Sequence, residues 1–402
     1  MSVLAALGRA TGGHAREAGD GDAVGGVPAR FVAAPGSTDE AAAVLRVAAG
    51  HDLALVARGG GTKLDWGAPP RRVDLVVETR RLDRVVEHAA GDLVVVVQAG
   101  VPLAALADRL AGAGQRLAID EVVPGTTVGG ALATGLTGPR RLQVGAVRDL
   151  VLGATLVRAD GVVARSGGKV VKNVAGYDVA KLVCGAYGTL GLVTEAAFRL
   201  HPVPPAAGYA AVRVPDAAAA HAAVQRVLHA QFVPSAVEVD RPEPGGPVEV
   251  ALLVEGTERG VAARLRQAVD ALGPGAAAGD RPAWWGRLPG GEVLVKATTE
   301  LGGLGRLLDG VQRVGPAAVR GSAGVGVLHL GTAADTAPAL VDGLRAAAPG
   351  WSGSVVVLAA PPAVRAAVDS WGPVSALSLM RRVKEQFDPD RRLSPGRFVG
   401  GI

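Results

Sequence analysis

The 402-residue sequence has a single cysteine, Cys184. One thiol excludes an internal disulfide and any cysteine-ligated iron–sulfur or zinc site held by this chain alone. Cys184 stands in the apolar run "KLVCGAYG" and reads as a small buried hydrophobe. Aromatic residues make up 3% against 49% hydrophobic residues, so the cores must be built from Ala, Val and Leu. No stretch of about 18 uninterrupted apolar residues occurs, so no membrane span is expected. The apolar part of the opening "MSVLAALGRATGG" is too short for a signal peptide, and a cytoplasmic chain is expected. The net charge of +5 comes with basic residues that are scattered rather than clustered, which argues against a nucleic-acid surface. Several catalytic signatures are also missing. There is no G-x-x-x-x-G-K-[ST], no G-x-S-x-G and no H-E-x-x-H, and "GAYGTLG" has the wrong spacing for a dinucleotide fingerprint.

What the chain has in excess is glycine, 58 residues, about twice the usual share. Residues 1–24, rich in Gly and Ala, are expected as a flexible N-terminus. "GSTDEAAAVLRVAAG" predicts a helix with Ser37 as N-cap, Glu40 completing a capping box and Gly50 at its stop. "LALVA", "RVDLVVET" and "GDLVVVVQAG" read as strands. A helix opening on Pro102 places Leu103, Leu106 and Leu110 on one face. Asp160-Gly161 between alternating apolar positions predicts a hairpin, and the prolines at 202–205 mark a boundary. Beyond them strands alternate with amphipathic helices, as in an α+β domain.

Three glycine-rich segments stand apart: "RGGGTK" at 58–63, "PGTTVGGALATGLTGPRRLQVG" at 124–145 and "GAYGTLGLVTE" at 185–195. A bare loop after a strand serves either a tight turn or the close approach of a ligand whose oxygens need N–H donors. Three such loops fit a long ligand such as a dinucleotide. Thr62, Thr126, Thr127, Thr134 and Thr137 would add hydroxyls, and Arg140 or Arg141 would offset pyrophosphate charge.

In this order the three segments resemble the FAD-binding domain of the vanillyl-alcohol oxidase / p-cresol methylhydroxylase (PCMH) family. The tail "FDPDRRLSPGRF" is similar to the terminal segment of FAD-linked oxidases, with Ser394 where Asn is more common. Within that family, "GGKVVKNVAGYDVAKLV" is most similar to the FAD-binding E-subunit family of bacterial glycolate oxidases. The resemblance implies an α+β fold. A two-subdomain PCMH-type FAD-binding domain over 25–205 would precede an α+β cap domain over 206–380, and a tail over 381–402 would return to the FAD domain. It implies FAD held by Arg58, Gly59, Gly60, Gly61, Thr62, Lys63, Thr126, Thr127, Gly129, Gly130, Ala133, Thr134, Gly138, Arg140, Gly145, Gly188, Gly191 and Val193. Some members carry a covalent histidine on the pyrophosphate loop. This loop has none, so the cofactor is expected to be noncovalent.

Departures from the family bear on mechanism. Its 2-hydroxy-acid dehydrogenases carry H-x-G-D-G-N-x-H, whose histidines help bind a metal. Here "SAGVGVLH" puts Ser322, Val325 and Val327 at three of those positions, so no metal site is expected and His329 reads as structural. Tyr187 replaces an acidic residue of the third segment. Lys169 and Lys172 lie either near the flavin or on a solvated basic loop. Tyr177 and Asp178 are either a proton-transfer pair or a buried hydrogen bond that supports the loop. Trp284 and Trp285 read as core or interface packing, with stacking over the flavin as the other reading. Lys172, Tyr177 and Asp178 are the only catalytic candidates. The function implied is that of an FAD-binding subunit of a glycolate-oxidising complex, in the cytoplasm or membrane-associated through its partners. It would pass electrons to an iron–sulfur subunit beside a catalytic FAD subunit. The alternatives are a self-sufficient FAD-dependent 2-hydroxy-acid dehydrogenase, D-lactate-like, and a non-catalytic structural subunit.

Overall fold

A computed structural model describes residues 2–169 and 176–402. The chain divides into two compact units. The first comprises 1–136, 146–203 and 373–402, and the second comprises 137–145 and 204–372. One boundary lies after Val203, among the prolines at 202–205, and the C-terminal part of the first unit begins at Pro373.

The first unit holds two sheets. One has four strands in the order Ala15–Glu17, Phe31–Ala33, Leu75–Glu78, Leu55–Arg58, and the last three run parallel. The other is an antiparallel sheet of five, ordered Val85–Ala89, Val94–Gln98, Leu192–Arg199, Val151–Val157, Val163–Gly167. The helix Thr38–Gly50 packs Ala41, Val44, Leu45 and Ala48 into a core with Leu55, Leu75, Val157 and Leu192. Ser37 Oγ accepts from Glu40 N–H at 3.1 Å as expected of an N-cap. The reciprocal bond differs, because the Glu40 carboxylate accepts from Gly36 N–H at 2.7 Å, one residue upstream. The Asp160-Gly161 turn joins two antiparallel strands.

The N-terminus departs from expectation. Instead of a flexible segment it forms the helix Val3–Ala10, whose Leu7 is fully buried in the same core, and a strand at Ala15–Glu17. Eight residues cannot hold a helix alone in water, so tertiary burial makes this one. The C-terminal segment closes the unit. Leu393 bridges to Leu55 in parallel, Leu55 N–H donates to Arg392 O, and Ser394 N–H donates to Leu55 O.

The second unit is an eight-stranded antiparallel sheet. Its order is Ala277–Gly279, Ala206–Val214, Val248–Gly256, Ala236–Arg241, Ala318–Ser322, Val327–Thr332, Val293–Thr298, Val355–Ala359. Alternate residues such as Val250, Leu252, Val295 and Leu330 face the helices Ala217–Leu228, Glu258–Leu272, Leu304–Val314 and Ala337–Ala347. Ala, Val and Leu fill this core almost entirely, as the scarcity of aromatics requires.

Candidate functional site

The glycines of the loop leaving strand Leu55–Arg58 answer two different demands. A Cβ on Gly59 would stand 2.3 Å from Thr127 Oγ1, and one on Gly60 would stand 2.0 Å from the Gly125 carbonyl oxygen. Both positions are bare because the second glycine-rich segment lies against them. Gly61 has room for a side chain but adopts φ +75°, a left-handed conformation that L residues rarely take. The bare loop is therefore made first by the chain's own packing, which the reading in terms of a ligand alone did not contain.

That packing creates a donor nest. The five consecutive backbone N–H groups from Gly59 to Lys63 make no hydrogen bond to a protein acceptor among the described residues. Unsatisfied main-chain donors in a half-buried loop are costly unless something accepts from them. Lys63 adds charge beside them. Its ammonium donates to Thr62 Oγ1 at 2.9 Å and Thr126 Oγ1 at 2.7 Å. Burial pushes it down to about 8, against the pull of Glu121. The Glu121 carboxylate accepts from Thr126 N–H at 3.0 Å, which fixes the threonine that Lys63 binds.

The third segment joins through main-chain bonds. Gly185 N–H donates to Leu132 O at 2.8 Å and Tyr187 N–H to Ala133 O at 2.9 Å, tying it to the helix Val128–Thr134. One groove is consequently walled by residues 58–64, Thr127, Gly130, Ala133, Thr134, Tyr187, Gly188 and Arg397. A continuation is lined by Gly129, Gly130, Ala133, Gly188, Gly191 and Val193 beside Thr79 and Ala99. The first and third glycine-rich segments and the part of the second up to Leu136 therefore meet in the first unit.

Two groove residues escaped the sequence reading of the site. Arg397 is buried and donates from Nη2 to the carbonyls of Leu64 and Trp66, both at 2.7 Å, so the tail holds the exit of the loop. The Tyr187 ring stacks on Phe398 with centroids 6.0 Å apart, and burial raises its phenol. The signal for Arg397 was "GRF" in the tail that resembles the terminal segment of FAD-linked oxidases, and Tyr187 stands in the third glycine-rich segment itself.

Other candidates stand elsewhere or are engaged differently. Gly138, Arg140 and Gly145 belong to the second unit, where Arg140 Nε donates to Glu255 at 3.1 Å. Arg58 borders the groove, yet its guanidinium pairs with Asp22 at 2.8 Å and Glu78 at 3.5 Å. The Tyr177–Asp178 expectation fails in its buried form. Tyr177 is 93% exposed, and Asp178 caps the short helix Val179–Val183, accepting from Lys181 N–H and pairing with its ammonium at 2.8 Å. Lys172 lies outside the described residues, while Lys169 pairs with Glu87. Trp284 and Trp285 pack with Tyr209 in a small cluster of the second unit, in line with core packing. Cys184 is half-buried and donates to Ala180 O at 3.3 Å, and desolvation pushes its thiol up to about 12. His329 is buried, and desolvation pushes it down to about 3, helped by the charges of Lys296 and Arg141. Among the described residues, no group of three or more His, Cys, Asp or Glu is arranged to hold a metal ion.

Comparison with known proteins agrees with the groove. Residues 29–167 match the family model of the FAD binding domain, and residues 368–398 match that of the C-terminal domain of FAD linked oxidases. The chain is 33% identical over 213 residues to glycolate oxidase subunit GlcD of Bacillus subtilis, covering 52% of this chain and 45% of that protein. It is 44% identical over 115 residues to glycolate oxidase subunit GlcE of Escherichia coli, covering 28% of this chain and 33% of that one. The matches thus span less than half the length of these curated relatives. The structure of p-cresol methylhydroxylase with substrate bound superposes with a TM-score of 0.76 at 15% identity, over 98% of this chain and 96% of that one. The fold is therefore of the PCMH type. The loop fits an FAD pyrophosphate, because residues Gly59 to Lys63 line the groove and their five main-chain N–H groups have no protein acceptor among the described residues.

Proposed function

We propose that this chain, an FAD-linked oxidoreductase of the glycolate oxidase and 2-hydroxy-acid dehydrogenase kind, serves as the FAD-binding subunit of a glycolate-oxidising assembly. The observation that carries this reading is the meeting of three glycine-rich segments in one donor-lined groove, together with 44% identity to GlcE across 115 residues. In it the amides from Gly59 to Lys63 bind the pyrophosphate. Thr127, Gly130, Ala133 and Thr134 line the path of the ribityl chain, and Gly188, Gly191 and Val193 approach through backbone. FAD, bound noncovalently, supplies the ability to take an electron pair and release single electrons. The chain's own part is to hold that cofactor, exclude water from its phosphates and balance their charge with Lys63.

The partners proposed are a catalytic FAD subunit and an iron–sulfur subunit. A chain with one cysteine cannot ligate a cluster by itself, so electrons that leave singly need a cluster on another polypeptide. The degraded "SAGVGVLH" stretch supports placing hydride abstraction mainly on the catalytic partner. No helix among the described residues is long and apolar enough to cross a membrane.

The test is purification of the tagged chain alone and with its co-expressed partners, counting flavin and iron per chain. The chain alone is expected to be yellow, to release its flavin on acid precipitation, and to turn over glycolate with an artificial acceptor only when the partners are present. Full turnover by the isolated chain would replace this reading with that of a self-sufficient dehydrogenase. A colourless chain that takes up no FAD would leave a structural subunit.

A further inference from the structure

The first unit holds a further cavity, of about 560 Å³, between the helix Val179–Val183, the helix Leu377–Phe387 and the end of the tail. That volume lies in the range of small-molecule sites. Buried Ala186, Thr189 and Leu190 line it, and so do Leu182 and Leu379, which are 43% and 53% exposed. These two are among the few large apolar side chains left to water, and two helices remote in sequence bring them to one opening. Ala186 and Leu190 also line the cofactor groove, so cavity and groove share a wall.

The polar groups of the lining identify what kind of head the cavity takes. Lys181 and Asp178 pair at 2.8 Å and cancel. The Cys184 thiol keeps its proton and donates it to Ala180 O. The carbonyl oxygen of Ile402 accepts from Phe398 N–H at 2.9 Å. Arg148 is different. Its exposed guanidinium makes no hydrogen bond and no ion pair among the described residues. Asp149, next to it in sequence, is engaged by the N–H of Ala146 at 2.8 Å. An apolar cavity with one unmatched cation suits an apolar body that carries one negative charge. A polyanion would find no second free cation, and a cationic head would be repelled. Leucine and methionine walls adapt to a flexible chain.

We propose that this cavity is a binding site for a medium-chain monocarboxylate, with the alkyl chain against Leu182, Leu190, Leu379 and Met380 and the carboxylate on Arg148. The site stands apart from the function proposed above, and neither depends on the other.

The probe is sodium decanoate, titrated calorimetrically below its micellar range into the full, flavin-loaded chain. Saturable binding is expected, with octanoate weaker by roughly tenfold for the two CH₂ groups it lacks. Arg148→Met should weaken decanoate about fivefold, the size of an exposed ion pair, and should leave the binding of 1-decanol unchanged. Arg148→Lys should restore most of the loss by keeping the charge. Leu379→Asp should weaken both probes, because it removes apolar contact and sets a like charge at the opening. An unchanged melting temperature certifies each variant, with Leu182→Asp replacing Leu379→Asp if the latter does not fold. Flavin content should stay constant through the titration. Release of flavin by decanoate would mean that the acid enters the cofactor groove instead, and it would overturn the site. Decanoate binding undiminished in Arg148→Met or in the leucine variant would overturn it as well. So would the absence of saturable binding, which would leave the cavity as a seat for an apolar side chain of a partner polypeptide.

Discussion

At the scale of single residues, the glycine loop separates two effects that a sequence motif merges. Gly60 is bare because the Gly125 carbonyl would be 2.0 Å from any Cβ, while Gly61 is bare only for its φ of +75°. Gly60→Ala must push two cofactor segments apart, so it should cost about 1–3 kcal/mol of stability and weaken FAD binding by more than roughly tenfold. Gly61→Ala meets no atom closer than 3.9 Å and should cost about 1 kcal/mol through backbone strain, with a smaller loss of affinity. Thermal melts and quenching of flavin fluorescence on titration check both, and equal effects would mean that packing between the segments does not shape the nest. Asp22 offers a second residue-scale case. Its buried carboxylate accepts from Arg16 at 2.6 Å and Gly19 N–H at 2.8 Å and pairs with Arg58, which holds it well below the usual carboxylate range. A depressed native value stabilises the fold above the unfolded value and loses that contribution as pH falls towards the native one. Asp22→Asn should therefore cost about 1–3 kcal/mol near neutrality, and the gap to wild type should shrink below about pH 4. Urea melts across pH read this directly.

At the scale of elements, the helix Leu377–Phe387 and the tail after it are pinned by one ammonium. Lys384 Nζ is buried and donates to Asp388 at 2.6 Å, Thr189 O at 2.8 Å and Leu393 O at 2.9 Å, and Asp388 in turn accepts from the N–H groups of Arg392 and Leu393. Removing the ammonium leaves a buried carboxylate without its cation. Lys384→Met should thus cost about 3–5 kcal/mol and make the tail a protease target, with retained FAD binding expected to fall because Arg397 follows on the same tail. A variant as stable and protease-resistant as wild type would show the pin to be dispensable. This pin was invisible in the sequence, because the bonds of Lys384 to Thr189 O and Leu393 O depend on tertiary structure. Locally encoded elements were legible. The Ser37 cap, the Leu103, Leu106 and Leu110 stripe and the Asp160-Gly161 turn each depend on a few adjacent residues, and each is present. The N-terminal helix was missed because the burial of Leu7 makes it, and the role of Arg58 was missed because Asp22 lies 36 positions away in the sequence. The three loops were legible as a group. Their close contacts, Gly59 on Thr127 and Gly60 on Gly125, were not.

At the scale of the whole molecule, each unit closes a core of its own, and the groove that fits FAD is lined from the first alone. A ligand stabilises only what it binds, by about 4 kcal/mol when present at a thousandfold excess over its dissociation constant. The tryptophans make this separable. Trp66 belongs to the first unit, whereas Trp284, Trp285, Trp351 and Trp371 belong to the second, so indole fluorescence reports mainly on the second. Adding FAD to the stripped chain should raise the midpoint seen by calorimetry for the first unit by several degrees. The midpoint seen by tryptophan fluorescence should move far less. Equal shifts by both probes would show the two units to unfold as one cooperative body, and no shift by either would show that the nest of Gly59 to Lys63 does not hold the cofactor.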